Sequence, residues 1–258
     1  MAAGCCFLSM IPVRAEPSGK SAMVNQLLFG DRVLVIESFG DWYKIISLHD
    51  NYEGWCESNQ MVLLTDEGNH TLPVRLVNDI TATLASGSNT ITPVYGSSVS
   101  VQGNDYIINQ KPWQLVSGHL TEPLEFNGTN VLSTALKLMG APYLWGGRSP
   151  FGIDCSGLIQ IAFKMTGMNM PRDARQQAEH PGEFIDLIAE TQAGDIAFFD
   201  NEEGVIKHTG ILTGQDTIIH ASGRVRMDPV DHQGIFNRES GKYTHKLRLI
   251  KRFGSSKS

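Results

Sequence analysis

The sequence predicts an α+β protein, with an all-β first half of two small barrels and a second half in which helices precede an antiparallel sheet. Three observations carry this reading. Residues 1 to about 125 alternate short apolar runs with turn residues at roughly ten-residue spacing. Helical periodicity begins only after Pro123 and Gly128. A faint internal echo also divides the β half: Ile11-Pro12-Val13-Arg14 recurs as Leu72-Pro73-Val74-Arg75, and Leu28-Phe29-Gly30-Asp31-Arg32-Val33 as Val94-Tyr95-Gly96-Ser97-Ser98-Val99. The expected domains are 1–66 and 67–125 for the barrels and 126–258 for the α+β part.

In the β half, Phe7 to Val13 reads as the first strand, followed by runs at Arg32–Ile36, Trp42–Ile46 and Gly54–Cys56. Barrels of about sixty residues bury only about 60% of their unfolded surface, so they need packing partners. In the second half, a helix capped by Thr129 or Asn130 carries Val131, Leu132, Ala135, Leu136 and Met139 on one face and ends at Gly140, before Pro142. A second helix runs from about Cys155 to Met165, and a short third lies near Asp173 to Ala178. Strands are expected at Asp195–Asp200, Val205–Leu212, Thr217–Ala221 and Lys246–Phe253.

Composition narrows the function. The chain has 258 residues, 41% hydrophobic and 19% charged, as ordinary globular proteins do. With 21 Lys+Arg against 27 Asp+Glu the net charge is −6, which disfavours nucleic acid or an anionic membrane as partner. Nowhere do 18 apolar residues run together, so no transmembrane helix is expected. Ala2-Ala3-Gly4-Cys5 lacks the charged and apolar stretches of a signal peptide, so the expected location is cytoplasmic, and periplasmic or extracellular only if a leader has been removed. Cys5, Cys6, Cys56 and Cys155 form no CxxC pair; free thiols in a reducing compartment are expected, and neither metal nor cofactor. The chain is expected to be a monomer.

Cys155 lies where a loop becomes an amphipathic helix, in Gly152-Ile153-Asp154-Cys155-Ser156-Gly157. A thiol at a helix N-terminus meets unpaired N–H groups and the positive dipole end, which favour the thiolate and can hold an oxyanion. His208 and His220 fall in two strand-like runs joined by a turn around Thr213–Asp216. An odd loop centred on Gly214 sets them directly opposite, with Cβ atoms about 5 Å apart; an even loop throws them onto opposite faces. One histidine to take the thiol proton and a second polar ring to orient it suit a thiol nucleophile. A three-histidine metal site using His232 lacks any local ligand motif.

Six ordered motifs over about 80 residues carry a resemblance: Gly140-Ala141-Pro142-Tyr143-Leu144-Trp145-Gly146-Gly147, Asp154-Cys155-Ser156-Gly157-Leu158, Pro171-Arg172-Asp173-Ala174, Ala193-Gly194-Asp195-Ile196-Ala197-Phe198-Phe199, His208-Thr209-Gly210-Ile211 and Ile219-His220-Ala221. Residues 128 to 254 resemble the NlpC-type cell-wall peptidases, papain-like cysteine peptidases that cleave peptidoglycan stem peptides. The first half resembles the SH3-like barrels of γ-D-glutamyl-L-diamino-acid endopeptidases, the branch related to dipeptidyl-peptidase VI. The resemblance implies Cys155 as nucleophile, His208 as base and later acid, and His220 as third member of the triad. It also implies a released stem peptide, L-Ala-γ-D-Glu linked to diaminopimelate or lysine, cut after D-Glu and held by its free L-Ala amine. Asp173 matches the acid of the catalytic domain, and Glu57 is the barrel acid expected beside it. Tyr143, Trp145, Asp154 and Ser156 match residues that line the cleft. Ala174 departs from relatives that carry Ser there. The readings weighed against this one are a wall-binding module with a decayed site, and an acyltransferase or amidase using the same thioester chemistry.

Overall fold

The computed structural model describes residues 2–64 and 72–254, and the expected barrel boundary at 66/67 lies outside them. The chain divides into two compact units, residues 1–123 with 145–150, and residues 124–144 with 151–258.

Two seven-stranded sheets make the first unit. One holds β1 (Ala2–Cys5), β2 (Met10–Arg14), β3 (Met23–Leu28), β4 (Arg32–Phe39), β5 (Trp42–Ser47), β6 (Glu53–Glu57) and β7 (Val62–Leu63). The other holds β8 (Val74–Val77), β9 (Thr83–Ser86), β10 (Asn89–Ile91), β11 (Ser98–Gln102), β12 (Asp105–Ile108), β13 (Lys111–Ser117) and β14 (Leu120–Thr121). Their orders, β3-β2-β6-β5-β4-β1-β7 and β10-β9-β13-β12-β11-β8-β14, are the same path walked twice. The first strand expected over Phe7–Val13 forms only from Met10, as β2, because the chain bends at Leu8–Ser9, and β1 precedes the expected span.

One of the two sequence echoes follows this repeat. Gly30 and Gly96 occupy equivalent turns with φ of 82° and 80°, a region open to glycine. The next residue caps each turn alike: Asp31 Oδ2 accepts from Leu28 N at 2.9 Å, and Ser97 Oγ from Val94 N at 3.1 Å. The other echo pairs β2 with β8, which hold different places in the path, so it is a coincidence of composition. Between the equivalent turns the two halves interlock. Phe29 is buried in the second core with Val77, Leu84, Val99 and Ile108. Ser98 N donates to Phe29 O at 2.9 Å, and a Cβ on Gly30 would sit 1.9 Å from Ser98 O. The second small core thus gains apolar area from the first half that it lacks alone.

In the second unit, α1 (Gly128–Leu136) starts from Asn127, whose side chain accepts from Asn130 N at 2.8 Å. The cap expected at Thr129 or Asn130 therefore lies earlier, since Gly128 continues the helix; a Cβ there would stand 1.9 Å from Ala193 O. β15 (Arg148–Ser149) lies in the segment that belongs to the first unit, and β16 (Gly152–Ile153) follows it in the second. Next come α2 (Cys155–Lys164), buried on every side, and α3 (Ala174–Glu179). The sheet comprises β17 (Glu183–Phe184), β18 (Ile196–Asp200), β19 (Ile206–Leu212), β20 (Thr217–Ser222), β21 (Arg224–Asp231), β22 (Gly234–Asn237) and β23 (Lys242–Arg252). β23 pairs with both β18 and β22, which closes the sheet into a ring around Ala197, Phe199, Leu212, Ile218, Val230, Ile235 and Ile250. β21 and β22 were not expected: inward charges at Arg226 and Asp228 break the apolar alternation by which a strand is recognised.

Replacing Phe29 by Ala is expected to lower unfolding stability by about 3–5 kcal/mol in urea titration. Hydrogen exchange should then quicken in β11 and β12 as well as in β3 and β4; loss of protection confined to the first sheet would contradict the shared core.

Candidate active site

Asp154 is the N-cap of α2, its Oδ1 accepting from Gly157 N at 2.7 Å, so Cys155 is the first residue of a buried helix. The helix-end effect expected to lower the thiol's pKa is outweighed. Burial pushes Cys155 up to about 12, and the Asp154 charge adds to this, while backbone hydrogen bonds from Thr209 and Ser156 and the Arg172 charge pull the other way. Thr209 directly follows His208, so the thiol sits beside the strand that carries this histidine.

Asp154 is not a bare carboxylate. Arg172, 1% exposed, donates from Nη1 and Nη2 to its two oxygens at 3.0 and 2.6 Å, and from Nη1 to Ser156 Oγ at 2.8 Å. The fork of the guanidinium matches the carboxylate edge to edge. The side chains of Asp154 and Ser156 are therefore committed within the protein, behind the thiol. Gln177 braces the same turn by donating to Ser156 O at 3.0 Å and to Pro171 O at 2.8 Å.

The histidines meet by a route other than the one expected. The turn between β19 and β20 is centred on Gln215, not Gly214, and Gly210 pairs with His220. A shift of two residues preserves the face but makes His208 and His220 diagonal neighbours. They still touch, with His208 Nε2 and His220 Nδ1 2.8 Å apart. Gly210 leaves the room for this, since a Cβ there would stand 2.9 Å from His220 Cβ. The pattern then repeats across the next strand pair. His220 pairs with Arg226, and the diagonal residue Asp228 brings Oδ2 to 3.0 Å from His220 Nε2. His208, His220 and Asp228 share their strand faces with Leu212, Ile218 and Val230, so a polar series caps one end of the apolar ring.

His245 completes the cap. Its ring stacks on that of His208, centroids 4.1 Å apart and planes 27° apart. Among the described residues, His208, His220 and His245 each place a nitrogen within 4.8 Å of the others. The ring edges of a stacked pair run side by side instead of converging, and His208 already engages His220, so the geometry is that of a packed cluster and not of a chelate. Burial lowers His220 below the usual imidazole range, lowers His208 well below it, and lowers His245 to about 4.

The remaining residues singled out from sequence fall in both units. Tyr143, half exposed, is pushed up to about 12 by burial and then by the charges of Cys155 and Asp154, against the pull of Arg172, which sets its hydroxyl in the thiol's electrostatic field. Asp173 is exposed at the N-cap of α3, where Gln176 Oε1 accepts from its backbone N at 3.1 Å. Glu57 ends β6 in the first unit, opposite Trp42. Trp145, 65% exposed, belongs to the 145–150 segment of that unit. The segment is anchored by buried Arg148, which donates to Gln26 O at 2.9 Å and Asp31 Oδ2 at 3.2 Å. Cys5, Cys6 and Cys56 are buried in the first unit, their pKa values raised by burial. Sequence reasoning missed Arg172, Asp228 and His245 as members of the site. Arg172 stood within a quoted motif, whereas Asp228 and His245 carried no local signal.

A helix-start thiol packed on a closed sheet with a histidine pair is the layout of a papain-like cysteine peptidase. The model of the NlpC/P60 family matches residues 140–242, and that of the bacterial dipeptidyl-peptidase SH3 domain matches residues 13–61. A dipeptidyl-peptidase 6 of Lysinibacillus sphaericus is 31% identical, over 87% of this chain and 90% of its own. A γ-D-glutamyl-L-lysine dipeptidyl-peptidase of Bacillus subtilis strain 168 is also 31% identical, over 76% of this chain and 71% of its own. The crystal structure of an NlpC/P60 family protein from Bacillus cereus ATCC 10987 shares the fold with a TM-score of 0.82 at 20% identity, covering 97% of this chain and 99% of the other. The chain belongs to the NlpC/P60 family, and is a cysteine peptidase with an SH3-like domain.

Two outcomes are expected. Arg172→Met, which strands the Asp154 charge in the interior, should cost about 3–5 kcal/mol of stability by urea titration. Stability should also fall with acid: an unfolded histidine takes its proton near 6.5 but folded His245 only near 4, so its contribution is complete above 6.5 and is lost as pH falls from there to 4. His208 and His220 act in the same direction. Urea midpoints across that range should drop less steeply for His245→Phe than for the unaltered protein.

Proposed function

We propose that the protein is an endopeptidase that hydrolyses the bond between γ-D-Glu and a diamino acid in peptidoglycan stem peptides whose L-Ala amine is free. The observation that carries the chemistry is the helix-start thiol beside the strand of a buried His208–His220 pair. The bond assignment draws on the relatives whose names specify γ-D-glutamyl-L-lysine.

In this reading Cys155 is the nucleophile and His208 the general base. The ring nitrogen of His208 that does not face His220 takes the proton from Sγ as sulfur attacks the γ-amide carbon. A buried thiol and a buried imidazole both favour the neutral form, so each charge forms only with its partner beside it. The tetrahedral oxyanion is met by N–H groups at the start of α2 and by the Tyr143 hydroxyl. Collapse expels the diamino acid's amine, which takes the proton from His208 and leaves a thioester on Cys155. Water then attacks with His208 again as base, releasing the L-Ala-D-Glu dipeptide and restoring the thiol.

Glu57 and Asp173 are the proposed acceptors of the L-Ala ammonium, with Trp145 walling the cleft. An amine still acylated by the glycan carries no charge for two carboxylates to meet, and their desolvation would go uncompensated. Such selectivity favours released fragments over the intact polymer, which fits a role in recycling.

Purified protein should cleave L-Ala-γ-D-Glu-diaminopimelate or its lysine counterpart, and Cys155→Ala should not. N-acetylation of the substrate should lower kcat/KM by roughly a hundredfold or more. Cleavage by Cys155→Ala would remove the nucleophile assignment, and equal kcat/KM for free and acetylated peptide would remove the amine clamp.

A further inference from the structure

Asp228 belongs to none of the motifs that mark the thiol or the histidines, yet it ends the buried series that they begin. Its side chain is 2% exposed. Oδ2 lies 3.0 Å from His220 Nε2, while Arg226 Nη2 donates to Oδ1 at 2.9 Å and Arg226 Nε lies 2.7 Å from Oδ2. Arg226 is held in turn by Glu239 at 2.8 Å, and Glu239 also accepts from Arg224 at 2.7 Å. The carboxylate's charge is thus already met by a guanidinium. What it still offers His220 is a fixed acceptor.

That is enough to settle where the protons lie. An ionised carboxylate only accepts, so the proton between Asp228 and His220 sits on Nε2 of the histidine. A neutral imidazole carries one proton, which leaves His220 Nδ1 bare. The 2.8 Å contact between His220 Nδ1 and His208 Nε2 then needs its proton from His208. His208, neutral as well, is left with a bare Nδ1. The opposite assignment places a bare Nε2 of His220 against a carboxylate oxygen, two buried acceptors with no hydrogen between them.

We propose that Asp228 is a positioning residue that sets both imidazoles as Nε2–H tautomers, so that His208 Nδ1 is the nitrogen that receives the Cys155 proton. The step is a single transfer: the Sγ–H bond breaks, an Nδ1–H bond forms, and the sulfur keeps the electron pair with which it attacks. The inference rests on the roles given above to Cys155 and His208, but not on which peptide is cut. It also explains why an arginine stands so near a catalytic histidine: Arg226 holds Asp228 aimed, at the expense of the imidazolium's electrostatic support.

The test is Asp228→Asn. In this variant the amide oxygen turns to Arg226, and the amide N–H2 faces His220 Nε2. His220 must then accept there and protonate at Nδ1, which drives His208 to Nδ1–H and removes the base. Imidazole ¹⁵N chemical shifts separate protonated from bare ring nitrogens. In the unaltered protein they should report bare Nδ1 on both rings, and in Asp228→Asn bare Nε2. Alkylation of Cys155 by iodoacetamide at neutral pH should slow by roughly tenfold or more, a readout that needs no peptide. Where the stem peptide is cleaved, kcat should fall by about 10²–10⁴-fold with KM nearly unchanged. A proton on Nδ1 of either ring in the unaltered protein overturns the proposal, as do unchanged shifts and alkylation in Asp228→Asn. Should the variant fail to fold, the spectrum of the unaltered protein decides alone. Loss of peptide cleavage by the unaltered protein, with the tautomers as stated, would instead count against the substrate.

Discussion

A buried carboxylate must be met by a donor inside the protein, and the placement of four aspartates follows that constraint. Asp31, Asp154, Asp195 and Asp228 are the buried aspartates among the described residues, and each is met by an arginine: Arg148, Arg172, Arg252 and Arg226. An unpaired charge in such a position costs several kcal/mol, whereas a guanidinium satisfies two oxygens at once. Three of the pairs therefore pin distant pieces of chain in one geometry, while Arg226 and Asp228 lie two residues apart on β21. Asp154 and Arg172 fix the turn from which the thiol projects. Asp31 and Arg148 anchor the 145–150 segment in the first unit. Asp195 and Arg252 tie the start of β18 to the end of β23.

Asp228 is the member of this set with a second partner of functional weight. The same carboxylate that Arg226 neutralises also orients His220, so structural satisfaction and proton placement are one arrangement. Strand parity makes this possible. Three adjacent antiparallel strands present His208, His220 and Asp228 on one face, each displaced diagonally from the last, and glycine at position 210 clears the first step. A one-residue slip at either turn would put part of the series on the other face.

The first unit solves a different problem, that of two small cores. Duplicated topology gives each sheet the same turn, and Phe29 from one turn enters the neighbouring core. The turn-forming glycine beside it lies against the Ser98 backbone with no room for a side chain. Local turn chemistry and long-range packing thus meet at the same two residues.

The all-β first half, the helix beginning at Cys155, the strands of His208 and His220 and, through six ordered motifs, the peptidase family are legible in the sequence. Those features are local: a capping residue, a turn glycine and a period of two or 3.6 are visible within a dozen residues. Tertiary structure alone decided which residues stand behind them. Asp228 lies eight positions beyond His220, in a strand whose inward charges disguise it as loop, and His245 reaches His208 only because β23 closes the ring. The register of the His208–His220 hairpin turned on whether its loop centres on residue 214 or 215, which spacing could not distinguish. The thiol's pKa was decided the same way: the helix end pulls it down within one turn, but the burial that pushes it up is imposed by elements distant in sequence.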